Sequence, residues 1–141
     1  MANTNTITRT NYFRVTDEKK YQELFETLSA EDEIYDFTKT CNETILHGFG
    51  SYSDINYYPS DEYIDENGYP LDGFTKELQK LLPEGEAAII KDISWEKLRF
   101  VFGGAYVITS KEIRYISLDD TVLDAARDML SDETWTTQID Y

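Results

Sequence analysis

The feature that most constrains this chain lies between Glu86 and Leu118. Three strand-like segments, Glu86 to Trp95, Leu98 to Thr109 and Lys111 to Leu118, follow one another with almost nothing between them. Parallel pairing needs a crossover of a dozen or more residues, so connections this short point to an antiparallel meander. Gly103 and Gly104 interrupt the middle segment. A bulge or sharp bend is the expectation there, rather than a phosphate-cradling loop, because no helix start follows them.

The remaining elements are read around that meander. Asn11 to Val15 reads as a short strand, and Thr16 caps a helix whose Tyr21, Leu24, Phe25 and Leu28 recur at i, i+3, i+4 and i+7. Ile34 to Thr40 and Thr44 to Phe49 read as a hairpin, with a further strand from Asp54 to Tyr58. Asp72 caps a second helix carrying Phe74, Leu78, Leu81 and Leu82, which Pro83 and Gly85 stop. A third helix runs from Asp119 or Asp120 to Leu130 and is expected to bury Val122, Leu123, Ala126, Met129 and Leu130. Thr134 to Tyr141 alternates strictly, as a half-buried strand does. The sum is an α+β fold with a largely antiparallel sheet and about three helices packed on one face. It forms a single domain over residues 1–141, with residues 1–10 as a flexible N-terminus.

Charge separates this chain from an ordinary domain of 141 residues. Twenty-eight acids face 13 bases, a formal charge of −15, and the surplus is confined to two blocks. Residues 31–66 carry ten acids against Lys39 alone, and residues 118–141 carry seven against Arg127. The segments 1–30 and 67–117 are balanced. Contact with DNA, RNA or an anionic membrane is disfavoured, because carboxylates repel phosphates rather than release their counterions. The expected partner is a basic protein. With a single cysteine, Cys41, no internal disulfide can form, and the first ten residues hold no apolar signal core, so a cytoplasmic location is expected.

Within the acidic blocks, Asp120, Asp124 and Asp128 recur at i+4 on the third helix, nearly opposite its apolar sector, with Asp132 one step beyond. Like charges at that spacing cost a few tenths of a kcal/mol per pair. A negative charge at Asp128 also opposes the macrodipole at the helix C-terminus. The second candidate region is a loop after Pro59, where Asp61, Glu62, Asp65 and Glu66 stand beside Tyr63 and close to Tyr58. Tyrosine offers a large stiff face at small entropic cost and stacks on arginine. These ten residues are the expected partner-binding set. Catalytic residues, metals and cofactors are not expected. His47 is the only histidine, and its spacing from Cys41 matches no nucleophilic signature. An EF-hand frame with Gly68 at its sixth position places Tyr63 first and Phe74 last.

In size, in the unbalanced blocks Glu31 to Glu66 and Asp119 to Asp140, and in lacking a catalytic signature, the chain resembles the small acidic anti-defence proteins of phages and mobile elements, anti-CRISPR proteins of the DNA-mimic kind. That resemblance implies a non-enzymatic inhibitor acting in the host cytoplasm. It would occupy the cationic nucleic-acid groove of a CRISPR effector or other nuclease and compete with DNA or guide RNA. An immunity protein against a nuclease toxin follows the same logic. A regulatory protein-interaction domain with incidental acidity is the third expectation.

Overall fold

The computed structural model describes residues 5–59 and 71–137. Strand β1 (Asn5–Thr10) opens it, followed by α1 (Glu18–Phe25), β2 (Leu28–Ala30), β3 (Ile34–Asp36), β4 (Lys39–Cys41), β5 (Thr44–Leu46), β6 (Phe49–Ser51) and β7 (Ile55–Tyr57). After the undescribed residues come α2 (Asp72–Gln79), β8 (Ala87–Glu96), β9 (Phe100–Thr109), β10 (Ile113–Ser117) and α3 (Leu118–Leu130). Six strands form one antiparallel sheet in the order β10-β9-β8-β1-β6-β3. The expected meander is its long half. β1 corrects the reading of a flexible N-terminus: Asn5–Thr10 pairs along its length with β8 and lies inside the sheet.

Alternation decides which side of the sheet is packed. Thr8, Thr10, Ala88, Ile90 and Ile108 point to a core completed by Phe13, Tyr21, Phe49, Phe74 and Leu78. Helix α1 is capped by Asp17, one residue after the expected cap, and the Asp17 carboxylate accepts from the Lys20 N–H at 3.0 Å. Helix α2 buries Phe74 and Leu78 completely, each worth ~1.5–3 kcal/mol of transfer free energy. Gly85, at φ +85°, supplies the left-handed turn that frees the chain to enter β8. The expected hairpin forms as β4 and β5, joined by Asn42 and Glu43. Both turn residues have positive φ, as a two-residue turn matched to strand twist requires.

Three expectations fail for identifiable reasons. No bulge forms at Gly103 and Gly104, which pair in register with Ile93 and Asp92. Gly104 instead makes room for a side chain: a Cβ there would collide with the Tyr115 hydroxyl, whereas one on Gly103 would meet Leu118 at an ordinary 3.5 Å. Helix α3 buries none of its residues, so Val122, Met129 and Leu130 are exposed rather than core. Thr134 to Thr137 form no strand, and residues 138–141 lie outside the described set. The helices also divide between faces. Tyr106, on the core face, bonds Asp72 of α2, whereas Leu118 opens α3 over Gly103 on the opposite face.

Candidate functional site

Ser117 ends β10 and begins α3, its hydroxyl accepting from the Asp120 N–H at 3.4 Å. That cap fixes the register in which Asp120, Asp124 and Asp128 fall along one side of the helix, and all three are exposed. Asp119 and Asp120 sit in the first turn, where the macrodipole favours them. Asp128 sits in the last turn and receives no such help. The one cation on the helix, Arg127, lies 3.6 Å from Asp124 and donates through Nε to the Trp135 carbonyl at 2.8 Å. Asp132 has local structural work: it accepts from the N–H and the hydroxyl of Thr134, and these bonds hold its carboxyl below the usual range. With Ser131 in the left-handed conformation, Asp132 ends the helix and turns the chain. Asp124, Asp128, Asp132 and Glu133 line one shallow hollow with Arg127.

The second predicted region divides. Asp61, Glu62, Tyr63, Asp65 and Glu66 lie outside the described residues. Tyr58 is half-buried, its N–H bound to the Thr27 carbonyl at 2.8 Å. Of the other acids in that block, Asp32 and Glu33 precede β3 at one edge of the six-stranded sheet, while α3 follows β10 at the other. Five strand spacings of ~4.8 Å separate those edges, about three Debye lengths at physiological salt. Acids at the two edges act on a partner separately. A duplex-like field needs its acids to reinforce one another, and Asp32 and Glu33 lie too far from α3 to do so.

The ion pairs reveal a feature that sequence reasoning missed. Among the described residues, Lys and Arg reach acids in six pairs: Arg14–Glu86, Lys80–Glu77, Arg99–Glu96, Lys111–Glu84, Arg114–Glu112 and Arg127–Asp124. Five of these take their acid from the balanced segment 67–117. Only Asp124 comes from an acidic block, so the other described acids of the two blocks pair with no lysine or arginine among the described residues.

A polar cleft of about 510 Å³ was also missed. Asp54, just ahead of β7, converges there with Asp72 of α2 and Asp92 of β8, with Tyr106 and Tyr115 as aromatic walls. The Tyr106 hydroxyl donates to Asp72 at 2.6 Å, and the two rings meet edge to face at 4.9 Å. Burial first, and the Asp54 carboxylate second, raise the Asp92 carboxyl above its ordinary pKa. Burial likewise raises the Tyr106 phenol, followed by its bond to Asp72. The separation of these acids in sequence hid the cluster. Gly104 was the available signal, because it alone lets Tyr115 lie against β9.

His47 is committed elsewhere. Its Nε2 is 2.5 Å from Glu18 Oε2 and its Nδ1 is 3.1 Å from the Thr38 hydroxyl, under a Tyr21 ring 4.1 Å away. Both ring nitrogens are occupied, and Cys41 is exposed on the β4–β5 hairpin. No group of three or more His, Cys, Asp or Glu able to hold a metal occurs among the described residues. No helix among them is long and apolar enough to cross a membrane. No protein family, curated protein or solved structure matches the chain.

Proposed function

We propose that the protein is a non-enzymatic inhibitor that binds the basic nucleic-acid-binding surface of another protein, a CRISPR effector nuclease of a host cell being the leading case, and competes there with DNA or guide RNA in the cytoplasm. The supporting observation is the distribution of ion pairs: five of the six that lysine and arginine form among the described residues take their acid from the balanced segment 67–117, and Asp120 and Asp128 of α3 take part in none. Asp120, Asp124 and Asp128 form the contact line, with Asp132 at its end. Successive carboxylates lie ~6 Å apart along the axis, sparser than the ~3.4 Å of one DNA strand, so the line engages a few cations rather than copying a duplex. The cleft walled by Tyr106 and Tyr115 offers an arginine or lysine both carboxylates and ring faces. Competition between the purified protein and a labelled DNA duplex for a purified CRISPR effector tests the reading. Wild type displaces the duplex and a triple variant Asp120→Lys, Asp124→Lys, Asp128→Lys does not; equal displacement by both rejects α3 as the contact.

A further inference from the structure

We propose that a second copy of this chain docks on the open face of the six-stranded sheet through the apolar seam of α3. The inference is independent of the proposed inhibitor function. Opposite the core, the ladder sets Ile7 beside Ile93 and Ile93 beside Gly103, with Leu118 lying above that glycine. Val101 and Ile116 extend this surface. Ile93 is 51% and Val101 54% exposed, although both lie inside regular strands. About half of each stays open to solvent, and a contiguous exposed apolar face of this kind marks an interface.

Helix α3 presents the matching surface. Leu118, Val122, Ala125 and Met129 recur at i, i+4, i+7 and i+11, the spacing of a seam that packs against another element. All four are exposed, Val122 at 45% and Met129 at 83%. The half-buried positions Leu123, Ala126 and Arg127 lie round the helix from this seam. A half-covered helix standing beside a bare sheet face is the arrangement expected of one protomer of an isologous dimer.

Charge selects the occupant. At the paired strand positions of the open face stand Arg9, Lys91 and Arg114, the last of them paired with Glu112 from outside the ladder, and no aspartate or glutamate. Arg9 and Lys91 are direct cross-strand partners, a costly pairing of like charges. Neither makes an ion pair among the described residues; Arg9 instead lies 3.9 Å from the centroid of the Phe37 ring. In a chain of charge −15 this is a cationic, apolar surface awaiting anions. A basic partner is repelled from it. The seam of α3 is flanked by Asp119 on one side and Asp128 on the other, each about a quarter-turn away, while Asp120 and Asp124 point to the far side. A second copy thus brings apolar contact and carboxylates together, and leaves Asp120 and Asp124 of each helix free.

Sedimentation equilibrium on the full chain from about 1 to about 200 µM is the test. Wild type should reach twice the 16.4 kDa of one chain within that range. Met129→Lys alters a side chain too exposed to affect folding and should raise the dimer dissociation constant at least about tenfold. Ile93→Asp should do the same. Arg9→Glu with Lys91→Glu should also weaken the dimer, and adding Asp119→Lys with Asp128→Lys should recover part of the loss. A wild-type monomer at every concentration overturns the proposal. So does a dimer indifferent to Met129→Lys and to the charge exchange, which would place the interface elsewhere.

Discussion

Two glycines in the sheet carry different loads. A Cβ at Gly50 would lie 2.8 Å from the Thr8 carbonyl, a backbone atom held by neighbouring strands, with the Phe37 ring at 3.3 Å. At Gly104 the obstacle is the far end of Tyr115, whose side chain is 45% exposed and able to swing away. Gly50→Ala should therefore cost roughly 1–3 kcal/mol in urea unfolding, and Gly104→Ala less than about 1. Two carboxyls give stability opposite pH signatures. Burial works against ionisation of Glu86, but bonds from the side chain and backbone of Arg14 and from the Ala87 N–H outweigh it and lower its pKa below the ordinary 4.5. Its contribution is complete above that value and drains away as the pH falls through the lowered folded-state pKa. Asp92 is raised, so the folded chain protonates first; its cost at neutral pH disappears as the pH falls through its raised folded-state pKa. In urea unfolding, Glu86→Gln should lower the midpoint at neutral pH and Asp92→Asn should raise it; on acidification the Asp92 effect fades first, and the Glu86 effect fades below the ordinary carboxylate range.

Among elements, α3 bears the most informative conflict between stability and function. Asp128 stands at i+4 from Asp124 and in the last turn, two placements that each work against the helix. Asp128→Lys should raise stability by roughly 0.3–1 kcal/mol, seen as a higher thermal midpoint, while weakening the basic partner's binding. A substitution that stabilises the chain and costs it binding separates a functional carboxylate from an incidental one. The element was legible in sequence because its periodicity is local, although the Ser117 cap went unread and the start was placed one or two residues late. Its burial was not, because an apolar stripe reads alike whether it faces a core or waits for a partner. The meander and the second helix were likewise readable, as short connections and an apolar face stopped by Pro83 and Gly85 leave few alternatives. β1 escaped notice because Asn5, Thr6, Thr8 and Thr10 carry little hydrophobic signal, and its neighbours β6 and β8 lie far along the chain. The glycine pair misled because glycine marks a close side chain as readily as a bulge.

For the whole molecule, the charge blocks were legible and their geometry was not. Strand order separates the edge that carries β3 from the edge that leads into α3, and places the cations Arg9 and Lys91 between them. A partner reading total charge would be indifferent to this layout, whereas one reading a line of carboxylates depends on α3. Steered encounter between opposite charges is fast and falls steeply with ionic strength, and the slope reports the charges that act. The direct measurement is therefore the association rate with a purified CRISPR effector between about 50 and about 200 mM salt, for wild type and for the triple variant at Asp120, Asp124 and Asp128. The account predicts a wild-type rate falling at least about tenfold across that range, and a slower, much flatter dependence for the variant. Matching slopes and rates for the two proteins would contradict it.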